Sequence, residues 1–152
     1  MEFLVRAWQA SSGNAFTTVQ PMKILIVDDD RDVADSLGTL VRVVLDYDVC
    51  VQYSGEGAIA TAGDYRPDVV ILDVNMLGLD GLQAARILKS DRRLEHKTFI
   101  AHTADDGTSV QSVASRMGFH QVIAKGNSSA VSDLIDLLSG LKASMRNDKR
   151  AR

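Results

Sequence analysis

Four short apolar runs lead into residues that can do chemistry. Ile24-Leu25-Ile26-Val27 leads into Asp28-Asp29-Asp30, and Val69-Val70-Ile71-Leu72 leads into Asp73. Phe99-Ile100-Ala101 runs on to Thr103, and Val122-Ile123-Ala124 leads into Lys125. If the runs are neighbouring parallel strands, these residues meet at one mouth, because open α/β sheets bind ligands at the carboxyl ends of their strands. Asp28, Asp29 and Asp73 would then crowd together. At about 5 Å and an effective dielectric of about 20, each ionised pair repels by roughly 3 kcal/mol. Something positive must offset that. Lys125 supplies one charge, and a hard divalent cation with oxygen ligands supplies more. Mg²⁺ suits a site that leaves positions for water and phosphate oxygens. Zinc has no ligand cluster here, since His96, His102 and His120 are scattered and Cys50 is the only cysteine. A cation beside a lysine favours an incoming phosphoryl group. A carboxylate can also act as nucleophile and form an acyl phosphate. Asp73 is the best placed, alone on a central strand opposite the acidic pair, with Asn75 two residues on.

The elements that must position these residues are legible in the pattern. Unbroken apolar runs without alternation suit a sheet covered on both faces, hence a parallel one. Val49-Cys50-Val51 is a weaker fifth strand. Between the first two strands Val33, Leu37, Leu40, Val41 and Val44 recur at helical spacing, with Asp30 or Asp32 as cap. Residues 57–62 form a short Ala-rich helix, and residues 82–89 another. Val110, Val113, Ala114 and Met117 make a stripe closed by Gly118. Val131, Leu134, Ile135, Leu138 and Leu141 make the last, capped by Ser128 or Ser129. The order alternates strand and helix five times. Right-handed crossovers then give an α/β fold, a five-stranded parallel doubly wound sheet with helices on both faces.

A chain of 152 residues fits one domain. With 45% hydrophobic and 24% charged residues it is globular and not disordered. A single cysteine excludes an internal disulfide and fits a reducing compartment. The net charge of −3 argues against a general electrostatic grip on nucleic acid. No apolar run approaches the ~18 residues that span a bilayer, and the N-terminus lacks the pattern of a secretory signal. The expectation is a cytoplasmic protein. Residues 1–21 read as an extension or remnant ending at Pro21, in which Trp8 and Phe16 could still pack on the body. Residues 22–143 form the domain, and 144–152 a basic, frayed tail.

The ordered set Val27-Asp28-Asp29, Ile71-Leu72-Asp73-Val74-Asn75-Met76 with Asp80-Gly81, Thr103-Ala104 and Lys125 resembles the bacterial response regulator receiver domain over residues 22–143. The resemblance implies the flavodoxin-like (βα)5 receiver fold in a stand-alone, single-domain regulator of a two-component system. It implies that Asp73 accepts a phosphoryl group from a histidine kinase or phosphotransfer protein. Asp28, Asp29, Asp73 and the backbone carbonyl of Asn75 would bind Mg²⁺. Thr103 would hydrogen-bond the phosphoryl group and Lys125 pair with it. Output would pass to a protein target on the face of the fourth helix, fifth strand and fifth helix, with a homodimer on phosphorylation left open. Asn75 and Asp105 flank the mouth where the family tunes phosphoryl lifetime, which implies a self-limiting signal. No membrane or nucleic-acid partner is expected, and no catalysis beyond the domain's own phosphorylation and dephosphorylation.

Three positions depart from the family pattern: Leu77 and Gly126 stand where it usually has Pro, and Val122 where it often has an aromatic. They motivate a second reading, a binding or scaffold module that works without phosphate. A third reading is a haloacid dehalogenase-like phosphatase, for which Asp28-Asp29-Asp30 fits the opening motif. That family needs a later acidic pair, and after Lys125 the acids Asp133, Asp136 and Asp148 are all separated. Taken singly, each piece has a plainer meaning. An Asp run caps helices, Asp80-Gly81 makes a turn, and a lone Lys is surface. His102 should point away from Thr103 and pack, and Cys50 should sit inert in a strand.

Overall fold

A computed structural model describes residues 20–104 and 107–151. Five strands, β1 (Lys23–Val27), β2 (Asp48–Gln52), β3 (Val69–Leu72), β4 (Thr98–Thr103) and β5 (Gln121–Ala124), form one sheet in the order β2-β1-β3-β4-β5. Every neighbouring pair is parallel, and the register sets Val27 beside Leu72 and Leu72 beside Ala101. Helices α1 (Arg31–Leu45), α2 (Gly55–Tyr65), α3 (Gly81–Ser90), α4 (Thr108–Arg116) and α5 (Ala130–Ala151) connect or follow the strands. This is the doubly wound α/β sheet expected from the pattern.

Two apolar layers explain why the strands read as unbroken. Alternate residues of each strand point to opposite faces. Leu25, Val27, Val70, Leu72, Phe99 and Ala101 pack with Ala58, Ala62, Ala84, Ala85 and Leu88 of α2 and α3. Ile24, Ile26, Val69, Ile71, Ile100 and Ile123 pack with Leu37 and Val41 of α1 and Leu134 and Leu138 of α5. The sheet is buried from both sides, so neither face needs polar residues.

Local chemistry fixes the ends. Asp30 caps α1, accepting from the N–H groups of Asp32 and Val33. Ser54 caps α2 and Asp80 caps α3 in the same manner. Gly118 follows α4 with φ +81, the left-handed region that glycine tolerates. Three sequence expectations need correction. The Ala-rich helix is longer than 57–62, since the Ser54 cap starts it two residues earlier, at Gly55, and Tyr65 still packs against the core. At the start of α5 the acceptor is Asn127, whose side chain takes the Ser129 N–H at 3.2 Å, while the Ser129 hydroxyl lies 2.8 Å from Asp133. The basic stretch is helical, with α5 continuing past Leu141 to Ala151. Met145 packs against the second layer, and the Lys142 ammonium lies 4.7 Å from the centre of the Tyr47 ring, so side-chain contacts hold the helix past Leu141. Trp8 and Phe16, with most of the 1–21 extension, lie outside the described residues. Among the described residues no helix is long and apolar enough to cross a membrane.

Candidate functional site

The ends of β1, β3, β4 and β5 bring Asp28, Asp73, Thr103 and Lys125 to one mouth. Backbone pairing carries each acidic residue just past its strand: Asp28 N–H donates to Gln52 O at 3.1 Å, and Asp73 N–H to Val27 O at 2.9 Å. Lys125 N–H donates to Thr103 O at 2.8 Å. Asp28, Asp73 and Thr103 are buried, and Asp29 is exposed. One carboxylate oxygen from each of Asp28, Asp29 and Asp73 lies within 4.8 Å of the others.

Lys125 Nζ bridges two of these acids, 3.0 Å from Asp73 Oδ2 and 2.5 Å from Asp28 Oδ2. The first contact is a hydrogen bond and the second a close ion pair. Asp73 Oδ1 accepts the Asn75 N–H at 3.0 Å, and the Asn75 amide reaches the Thr103 hydroxyl at 3.5 Å. Burial is the largest influence on Asp73 and pushes its carboxyl above the ordinary carboxylate range. Lys125 and the Asn75 N–H pull the other way without cancelling it, and Asp28 adds to the rise. Burial also works against the charged Lys125, but pairing with Asp28 and Asp73 outweighs it, so the net direction is upward and the lysine stays charged. One ammonium therefore faces two buried carboxylates and a third at the rim.

The donor set fits a hard divalent cation. Oxygen ligands alone surround the mouth, which suits Mg²⁺. Asp28 Oδ2 is buried against the Lys125 ammonium, and that one ammonium serves two buried carboxylates with a third at the rim. The negative charge left uncompensated there is what a metal ion would offset.

Asn75 sits at the mouth as expected, two residues beyond Asp73. Asp105, the other flanking residue, lies outside the described residues. His102 is buried, and strand alternation puts it on the face opposite Thr103. Cys50 is half-buried against the first layer. Among the described residues every peptide bond is trans, so Gly126 follows Lys125 through an ordinary link. Val122 is half-buried and lines a cavity of about 570 Å³ with Gln111, Ala130 and Asp133. Sequence reading missed two contributors. The Leu77 N–H donates to Asp29 Oδ2 at 3.1 Å. Gly81 abuts the Asp73 backbone, where an added Cβ would fall 1.9 Å from the Asp73 carbonyl oxygen. A loop amide leaves no trace in residue type, and Asp80-Gly81, read from the sequence as a turn, instead caps and opens α3.

A family model described as the response regulator receiver domain matches residues 24–138. "Transcriptional regulatory protein PrrA" of Mycobacterium tuberculosis is 36% identical over 74 residues, 49% of this chain and 31% of that protein. "DNA-binding response regulator MtrA" of Mycolicibacterium smegmatis is 36% identical over 69 residues, 45% of this chain and 30% of that protein. The match thus spans about a third of the length of these curated relatives. Among solved structures, chemotaxis protein CheY4 of Vibrio cholerae has a TM-score of 0.72 at 21% identity, covering 78% of this chain and 97% of that one. The receiver domain of the Francisella response regulator 1452 has a TM-score of 0.72 at 25% identity, covering 83% and 99%.

Proposed function

The chain belongs to the response regulator receiver domain family, and on that footing we propose that Asp73 is its phosphoacceptor and that the domain signals by carrying a phosphoryl group there. Receiver domains are signalling modules of two-component systems, so the phosphatase reading falls away. The observation that carries the proposal is the gathering of Asp28, Asp29 and Asp73 within 4.8 Å, with Lys125 on both buried acids.

In this reading the Asp73 carboxylate attacks the phosphorus of a phosphohistidine on the kinase or phosphotransfer partner. The P–N bond breaks as the new P–O bond forms, and the histidine leaves neutral after taking a proton from solvent. Asp28, Asp29, Asp73 and the Asn75 carbonyl would hold Mg²⁺, which when bound would supply positive charge to offset the carboxylates and the phosphoryl oxygens. The Asn75 N–H on Oδ1 fixes the orientation of the acceptor. Lys125 shifts from the carboxylates toward the added phosphoryl oxygens, and the Thr103 hydroxyl donates to one of them. Water then attacks the phosphorus and releases inorganic phosphate, which limits the signal in time. The added charge biases a pre-existing equilibrium. A protein target reads it on the face of α4, β5 and α5, beside the cavity at Val122. A regulator that acts through nucleic acid is equally compatible with this module, since MtrA is named as DNA-binding.

Intact-mass measurement with a small phosphodonor and Mg²⁺ tests this. One phosphoryl adduct is expected on the wild type, and none on Asp73→Asn or in chelator. A wild type that gains nothing from small donors or a cognate kinase would instead support the phosphate-independent binding module.

A further inference from the structure

The Leu77 backbone reaches across the mouth to Asp29, the one exposed member of the acidic trio. Its N–H donates to Asp29 Oδ2 at 3.1 Å, across 48 residues of sequence, while its side chain is 88% exposed. What residue 77 contributes to the site is therefore its amide and not its leucine side chain. Asp28 and Asp73 are pinned by burial and by Lys125. The Asp29 carboxylate stands in water, where it would otherwise sample several rotamers. We infer that the Leu77 amide is a positioning group for cation binding: it holds Asp29 in the rotamer that places one carboxylate oxygen beside those of Asp28 and Asp73. This rests on the proposed cation site.

The loop around Leu77 is built to present that amide. Met76 before it is buried in the first layer, and Gly78 after it takes φ +78, a left-handed turn that glycine permits. Asp80 then caps α3. The loop is anchored on both sides of residue 77, so its N–H is held in place before any ion arrives. An N–H aimed at one carboxylate oxygen leaves the other free to ligate, and it removes the rotamer freedom that binding would otherwise have to freeze.

The test separates amide from side chain. Leu77→Pro removes the donor, whereas Leu77→Ala keeps it and removes the exposed side chain. Mg²⁺ titration by calorimetry should show affinity about 5-fold weaker in Leu77→Pro and within about 2-fold of wild type in Leu77→Ala, the size expected for losing one solvent-exposed hydrogen bond. Because proline could also distort the loop, the wild-type Leu77 amide resonance is followed by NMR. Asp29→Asn should move it upfield, along with only its immediate neighbours. Equal Mg²⁺ affinity in wild type and Leu77→Pro, equal losses in both variants, or an amide resonance indifferent to Asp29→Asn would overturn the inference and leave the cation site standing. A wild type that binds no Mg²⁺ would overturn the cation site itself.

Discussion

Lys125 is asked to neutralise two buried carboxylates at once, and that sets what its loss should do. Its side chain is 19% exposed, against 3% for Asp28 and 7% for Asp73. Removing one partner of a buried ion pair strands the other, at a cost of about 3 kcal/mol. Lys125→Met should therefore lower stability in chelator by about that much in urea unfolding. Mg²⁺ should restore part of the loss, because a bound ion replaces the missing charge. A variant as stable as wild type in chelator would show that water already screens the acids. His102 makes a separate claim about acid. Burial, then the field of Lys125, lowers its pKa from 6.5 to about 4, with Asp28 opposing. The unfolded chain takes up that proton near pH 6.5 and the folded protein only near pH 4, so in this window unfolding binds a proton. Stability fully present above pH 6.5 is lost as the pH falls toward 4, by up to roughly 3 kcal/mol. His102→Gln should flatten that limb of the stability–pH curve. Parallel curves for the two proteins would mean that the imidazole stays hydrated.

Helix α3 is the element that pins the acceptor. Its first residue, Gly81, donates its N–H to Val74 O at 2.9 Å. A Cβ there would meet the Asp73 carbonyl oxygen at 1.9 Å and the Val74 Cα at 2.8 Å. The Gly81 backbone is not left-handed, so an alanine would ordinarily gain about 1 kcal/mol from helix propensity. The clash reverses that sign. Gly81→Ala should lose about 2 kcal/mol or more in urea unfolding and accept less phosphoryl group, since either α3 or the Asp73 backbone must move. A variant of unchanged stability would show that α3 slides freely. Element existence was legible because each apolar run and stripe had its own period. Element ends were legible where Asp30 caps α1 and Gly118 closes α4, and missed at Ser54, whose cap no helical stripe marked. The continuation of α5 depended on contacts that residue type does not announce, such as Lys142 on Tyr47. The four-residue step from Leu141 to Met145 was the only local hint. The candidate site was readable for a different reason. Its charged residues sit one step beyond apolar strands, where the fold class alone says that they must converge. Backbone donors such as the Leu77 amide belong to loop geometry, which composition cannot encode.

At the scale of the molecule, the acidic trio exists only when β1 and β3 are paired. In the unfolded chain Asp73 is 44 residues from Asp29, and nothing holds their oxygens together. A cation that needs all three therefore binds the folded state alone and must stabilise it. At about 100 times its dissociation constant, Mg²⁺ should add roughly 2.7 kcal/mol. For a chain of this length that raises Tm by roughly 5–10 °C. Chelator should reverse the shift, and Asp28→Asn or Asp29→Asn should abolish most of it. General screening is a real competitor, because salt also weakens repulsion among the three carboxylates. It is set apart by matching ionic strength with sodium chloride, which should leave Tm nearly unchanged. An equal rise with sodium chloride, or an equal rise with Mg²⁺ in both asparagine variants, would mean that the trio is an electrostatic strain on the fold and not a binding site.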